Sequence, residues 1–363
     1  MRNLDKSISI NGLTLKNRLV MPPMATSSAN DGEVSQRILD YYDKKTKGGY
    51  IGLVITEHSY IDIQGMANPK QMSVAKDSDI KGLKQLVNII HNNGSKAFTQ
   101  INHAGSMARG TGLPTVSASN TIPITMKESN IEIPEELSKE QIQYIVKRFA
   151  DAARRVKLAG FDGVEIHSAH AYLLNQFYSP ITNHRTDEYT GTTLEGRLRI
   201  HKEVIEAVRS EVGEDFPIAL RLGGCDYMAG GSTIKDSIKA SQMLESYGVD
   251  ILDITGGINR YMIPWNKEPG YFSDMTEHIM EKVSIPVILT GGITNAMDAE
   301  KLLQLNKADL IGVGRAILKD DSWAKMQWNK IMQILVSIIQ VFVELRYNKS
   351  GDEYYLRKCG NDL

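Results

Sequence analysis

The segment GFDGVEIHSAHAYLLNQF carries two histidines, His167 and His170, followed closely by Tyr172. Two imidazoles can donate hydrogen bonds to one substrate oxygen, and a phenol beside them can deliver a proton. Paired histidines also suit zinc, but no further ligand stands at a recognisable spacing. Strand alternation is taken here to turn Glu165 to the opposite face. Elsewhere, polar residues close short apolar runs: Gln100 after KAFT, Arg221 after PIAL and Glu57 after IGLVIT. Gly291–Gly292 and Gly314–Arg315 follow two further runs. Glycine backbone can approach a phosphate closely, and arginine can hold one through two parallel hydrogen bonds. The plainer reading of these glycines is a pair of tight turns.

Such scattered residues act together only if the fold gathers them. Eight short, almost wholly apolar runs recur: Leu19–Met21, Ile51–Thr56, Lys96–Ile101, Gly163–Ile166, Pro217–Leu222, Asp250–Ile254, Pro286–Leu289 and Leu310–Val313. Continuous apolar character marks strands covered on both faces. Amphipathic segments lie between them: Asp79–Asn92, Ser138–Leu158, Leu194–Val212, Ile234–Tyr247, Ser273–Val283 and Asn295–Leu305. Ser138 and Gln141 form a capping box, and Gly160 follows that helix. Eight strands alternating with helices predict an α/β protein, a single closed (β/α)8 TIM barrel. An open doubly wound sheet predicts G-x-G-x-x-G after the first strand, where the chain reads PPMATSSAND. The opening SISINGLTLKNR predicts a hairpin turning at Asn11–Gly12 and capping the barrel floor. Long connections run from Asn102 to Leu137 and from Gly256 to Phe272, after strands three and six. In a parallel barrel the strand C-termini share one mouth, so residues from Gln100 to Arg315 converge there.

Composition narrows the classes further. The chain has 363 residues, 42% hydrophobic and 23% charged, with 42 basic against 43 acidic residues. A net charge of −1 gives no global reason to bind nucleic acid or an anionic membrane. Two cysteines, Cys225 and Cys359, exclude a disulfide framework and a four-cysteine metal site within these residues. The stretch MQILVSIIQVFVEL is too short and too interrupted to span a membrane, and the N-terminus has no signal-peptide core. The expectation is a cytoplasmic protein acting on a small molecule, with no nucleic-acid or membrane partner; a homo-oligomer is compatible with it. From the residues alone, a phosphate-binding isomerase or lyase using Glu57 competes with a redox enzyme.

Seven segments, in order, resemble the old yellow enzyme family of FMN-dependent NAD(P)H:flavin oxidoreductases. They are LKNRLVMPPMAT, VITEHSYIDIQG, QINHAG, GFDGVEIHSAHAYLLNQFYSPITNHRTDEYTG, the arginine of IALRLGG, VILTGGI and IGVGRAILKDD. The resemblance covers roughly residues 3 to 328 and implies an FMN-binding barrel over 1–328, with 329–363 as a C-terminal tail. It implies FMN as cofactor and NADH or NADPH as reductant. Pro23, Met24, Ala25, His58, Gln100, Arg221, Gly291, Gly292, Gly314 and Arg315 would bind the flavin. Gln100 would meet its pyrimidine edge, and Arg221 would stabilise negative charge near N1 and O2. His167 and His170 would hold the substrate oxygen, and Tyr172 would donate the proton. The implied reaction is ping-pong reduction of an alkene conjugated to a carbonyl or nitro group. A flavin-binding protein without such turnover is the other alternative.

The chain departs from common family patterns at several positions. Ala25 stands where many members have Thr or Cys against the flavin, with Thr26 the nearest hydroxyl. Ala171 replaces a frequent glycine, Thr190 breaks a usual double glycine, and Asp321 stands where proline often follows Asp320. The tail is expected to be partly helical and to pack on its own barrel. The competing expectation sends Arg346 or Arg357 to a neighbouring subunit's site. Larger relatives add an iron–sulfur cluster and a nucleotide-binding domain, which the cysteine count and length here do not suggest. Direct reduction of FMN by NAD(P)H is therefore expected.

Overall fold

A computed structural model describes residues 3–121, 132–263 and 265–330. Eight parallel strands close into a barrel. They are β1 (Leu19–Met21), β2 (Leu53–Tyr60), β3 (Lys96–Asn102), β4 (Gly163–Ser168), β5 (Ile218–Cys225), β6 (Ile251–Gly256), β7 (Val287–Thr290) and β8 (Leu310–Gly312). Each expected run overlaps one strand. β8 pairs with β1, so the sheet has no free edge.

The main surrounding helices are α1 (Gln36–Thr46), α2 (Ile80–Asn92), α3 (Lys139–Ala159), α4 (Leu194–Val212), α5 (Ile234–Ser246), α6 (Ser273–Met280) and α7 (Ala296–Gln304). A short α8 (Arg315–Lys319) follows β8. The Ser138–Gln141 capping box forms, and Gly160 ends α3 at φ 95°, a left-handed conformation that glycine adopts without steric cost. α1 was not expected from the sequence. Its buried face rests mainly on Ile38 and Tyr42, one turn apart, too sparse a stripe to show as periodicity.

Side chains alternating inward along the strands fill the barrel in tiers. At the floor, Val20, Leu53, Ile55, Phe98, Ala219, Ile251, Ile288 and Leu310 form one apolar cluster. Ile10 and Leu15 of the hairpin Ile8–Ile10/Leu13–Leu15 join it from below. Asn11 and Gly12 both have positive φ, 43° and 78°, as a tight hairpin turn requires. Fully burying a side chain such as Phe98 stabilises by roughly 1.5–3 kcal/mol. Gly163 on β4 leaves room for that ring: a Cβ there would lie 2.4 Å from it.

The connection after β3 holds a small parallel pair, Val116–Ser117 with Glu135–Glu136. Residues 323–330 are helical, and Trp328 Nε1 donates to the Tyr50 carbonyl at 2.9 Å. The rest of the expected tail, including Arg346 and Arg357, lies outside the described residues. Among the described residues, no helix is long and apolar enough to cross a membrane.

Candidate active site

β4 ends at Ser168, and the chain turns sharply through His170 (φ 60°) and Ala171 (φ 64°). This turn brings His167, His170 and Tyr172 together. The His167 ring centre lies 5.1 Å from that of His170 and 5.1 Å from that of Tyr172. The glycine expected at 171 has a physical reason, because a left-handed backbone strains an alanine. Ala171 is fully buried and accepts that strain. β6 fixes His170, whose Nε2 lies 3.1 Å from Thr255 Oγ1.

His58 joins this cluster from β2. Its ring stacks on His167 at 6.4 Å and meets Tyr172 edge-on at 5.5 Å. Gln71 Nε2 lies 2.6 Å from His58 Nδ1 and donates to Asn102 Oδ1 at 2.7 Å, while Gln71 Oε1 accepts from Ala67 N. The amide nitrogen donates, so His58 Nδ1 accepts and its Nε2 carries the hydrogen.

Burial sets the charge of the cluster. It pushes His58 down to about 4 and, with the nearby positive charges, holds His167 and His170 well below their ordinary value. Burial also raises Tyr172 to about 12. At neutral pH the imidazoles are therefore uncharged and the phenol keeps its proton. His167 Nδ1 is buried without a hydrogen-bond partner among the described residues.

Beneath the cluster, β3 to β6 each point one polar side chain inward: Gln100, Glu165, Arg221 and Asp253. Gln100 and Arg221 do not end their strands, which continue to Asn102 and Cys225. They sit inside the barrel, and both are buried. The expectation that Glu165 faces away from His167 is overturned. Alternation has a period of two, so residues 165 and 167 share the inner face. Glu165 Oε1 accepts from Gln100 Nε2 at 2.7 Å.

The β1 end carries Pro23, Met24 and Ala25 at the mouth, with Ala25 exposed. The Thr26 hydroxyl is committed elsewhere: its N and Oγ1 each donate to Glu57 at 2.8 Å. Burial pushes Glu57 up to about 7 against these hydrogen bonds. Glu57 thus anchors the loop after β1; it does not end its strand, since β2 continues to Tyr60, and its place after the run IGLVIT did not disclose this job.

Beside it on the same rim, after β7, the Tyr271 ring packs on Gly291 and Gly292; a Cβ on either would come within 2.9 Å of it. Tyr271 Oη lies 3.4 Å from Arg315 and donates to the Tyr261 carbonyl. A Cβ on Gly314 would lie 3.3 Å from Met24 Sδ, so the β1 and β8 loops meet there. Lys45 of α1 caps α8 by donating to the Ile317 and Leu318 carbonyls, and it pairs with Asp321 at 2.5 Å. Asp321 therefore has its own use in place of the expected proline.

This donor set fits FMN. Arg315 pairs with no carboxylate among the described residues, only with a phenol and a thioether, and stands beside two glycine loops. A guanidinium so placed suits a phosphate. Arg221 is buried at the centre of the barrel, its Nε 3.1 Å from Asp253 Oδ2 without a well-aligned hydrogen bond, and Gln100 adjoins through Glu165. Among the described residues, no group of three or more His, Cys, Asp or Glu could hold a metal ion.

Comparison with known proteins agrees with this chemistry. Residues 3–333 match the model of the NADH:flavin oxidoreductase / NADH oxidase family. The chain is 39% identical over 333 residues to an NADH oxidase of Thermoanaerobacter brockii, covering 89% of this chain and 50% of that protein. It therefore spans about half the length of that relative. It is 37% identical over 332 residues to an NADPH dehydrogenase of Bacillus cytotoxicus, covering 90% of this chain and 92% of the other. A solved old yellow enzyme homologue from Zymomonas mobilis shares the fold at TM-score 0.79, with 24% identity over 90% of this chain and 93% of the other. The chain belongs to the NADH:flavin oxidoreductase / NADH oxidase family, the old yellow enzymes, whose cofactor is FMN and whose reductant is NAD(P)H.

Proposed function

We propose that the chain uses NAD(P)H to reduce alkenes conjugated to a carbonyl or nitro group. The observation that carries this reading is the convergence of His170 and Tyr172 on His167, a neutral imidazole and a protonated phenol whose ring centres each lie 5.1 Å from that of a second neutral imidazole. Gln100, Arg221, Pro23, Met24, Ala25, Gly291, Gly292, Gly314 and Arg315 would hold FMN, with His58 at the edge of the substrate cluster. Bound there, FMN would supply the ping-pong hydride chemistry that carries two electrons from NAD(P)H to the alkene.

The protein's own part is binding and proton delivery. His167 and His170 each donate one N–H to the substrate oxygen, where negative charge grows as the β-carbon is reduced. Fixed donors at such a site contribute a few kcal/mol each, roughly 2.7–4 by analogy with oxyanion holes. Thr255 keeps the His170 ring from turning away. Tyr172 then passes its phenolic proton to the α-carbon and is reprotonated from solvent. The buried walls exclude water from the developing charge.

A third polar device supports the same reading. Glu57 ties down the loop that follows β1, which keeps the Pro23–Ala25 backbone at the mouth. The test is anaerobic mixing of the FMN-loaded chain with NADH or NADPH and then with a cyclic enone. The flavin absorbance should bleach with the nicotinamide and return with the enone. Bleaching without return would refute the alkene-reductase reading, and a chain that retains no FMN would refute the cofactor site.

A further inference from the structure

The barrel interior places two carboxylates around one guanidinium. Arg221 Nε lies 3.1 Å from Asp253 Oδ2, and Thr290 Oγ1 donates to Asp253 Oδ1 at 3.4 Å. Glu165 has only the Gln100 amide, at 2.7 Å. All four side chains of this tier are buried. Glu165 Oε2 and Asp253 Oδ2 have no hydrogen-bond partner among the described residues. A second ionised carboxylate here would have neither water nor a counter-charge of its own, which costs several kcal/mol by the general scale of ion burial. Holding one proton relieves this cost. Burial raises both carboxyls, but Asp253 lies against the Arg221 guanidinium, which favours its charge, whereas Glu165 touches an amide and is the better place for the proton.

We propose that Glu165 is a positioning residue that holds the proton of the Glu165–Asp253 pair, orients Gln100, and exchanges that proton with solvent as the oxidation state of bound FMN changes the charge beside Arg221. This inference rests on the FMN reading. Burial, followed by repulsion from Asp253, raises Glu165 to about 8, against the pull of Arg221 and the Gln100 hydrogen bond. The groups facing it are Gln100 from β3, Arg221 from β5, Asp253 from β6 and the neutral His167 on its own strand.

The balance is simple. NAD(P)H brings two electrons and one proton as hydride. Above about pH 8 Glu165 is a carboxylate, and added negative charge near Arg221 weakens the guanidinium's hold on it. One O–H bond then forms at Glu165 with a proton from solvent, and it breaks when the electrons leave. By reciprocal linkage, the extra proton makes reduction depend on pH tenfold more per unit, about 30 mV for a two-electron couple.

The midpoint potential of FMN bound to the full chain, followed across that range, tests this. In the wild type the slope should steepen by about 30 mV per pH unit above about pH 8. In Glu165→Gln the steepening should vanish, because glutamine keeps the hydrogen bond but cannot titrate. Equal steepening in both proteins, or none in the wild type, overturns the proposal. Infrared titration of the wild type gives a second reading that needs no variant to fold. A buried carboxylic-acid C=O band should be present at neutral pH and disappear as pH rises through about 8. Its absence at neutral pH overturns the proposal. Failure to retain FMN would instead refute the proposed function and the link to flavin, while the infrared titration still decides where the proton is.

Discussion

Replacing Tyr172 with phenylalanine removes one oxygen and leaves the ring. Its face-to-edge packing on His167 and His58, at 5.1 and 5.5 Å, is kept. The turn into the short helix Leu173–Tyr178 does not depend on the hydroxyl: the Tyr172 backbone N–H donates to the Ala169 carbonyl, and its carbonyl accepts from Gln176 N–H. Stability should therefore change little. The chemical effect should be large and confined to one half-reaction. Loss of a positioned general acid costs about 10²–10⁴ in rate, or about 2.7–5.4 kcal/mol of barrier. NAD(P)H needs no proton from Tyr172 to bleach the flavin, so that step should stay within a few-fold of wild type. Because burial raises the phenol to about 12, alkene reduction should not fall on the alkaline side through loss of this proton until pH approaches that value. Stopped-flow absorbance measures both half-reactions on the same sample. Equal slowing of the two would refute the assignment of Tyr172 as proton donor.

Other perturbations test the remaining elements. Replacing both His167 and His170 with alanine should weaken binding of phenols, which mimic the substrate oxygen, by roughly 30-fold or more if each donor is worth at least about 1 kcal/mol; unchanged affinity in a flavin-perturbation titration would remove the clamp. His103 is buried, accepts a hydrogen bond from Gly105 N at Nδ1, and is pushed down to about 4 by burial. Between that value and the ordinary 6.5 the unfolded chain binds the proton and the native chain does not, so stability should fall as pH drops through this window, by about 3 kcal/mol. Urea unfolding of wild type and His103→Asn across the window should show a shallower slope for the variant; identical slopes would contradict the neutral buried imidazole. Gly163→Ala should destabilise the barrel by about 1–3 kcal/mol through overpacking against Phe98, with partial rescue by Phe98→Leu in the thermal midpoint.

Much of the scaffold was legible because its signals are local. Covered parallel strands are apolar on both faces, and helix ends carry caps, so Leu194–Val212 and the Ser138–Gln141 box can be read from neighbouring residues. α1 was missed because only a thin stripe of it is buried, and its Lys45 works at a distance on α8. The site residues were partly legible through their place after apolar runs and through family resemblance. Their partners were not. Thr255, Gln71, Tyr271 and Asp253 act on residues far along the chain, and no spacing rule links them.

Sequence alone determined that strands and helices alternate, that the number of strands closes a barrel, and that His167, His170 and Tyr172 stand at the end of one strand. Those facts follow from periodicity and composition within short windows. Only the tertiary structure decided that Glu165 meets Gln100, that Asp253 shares Arg221, and that the imidazoles are neutral. A side chain's charge is set by what surrounds it after folding. Burial and the neighbours across the barrel, contributed by strands far apart in sequence, supply the energies that a one-dimensional reading does not contain.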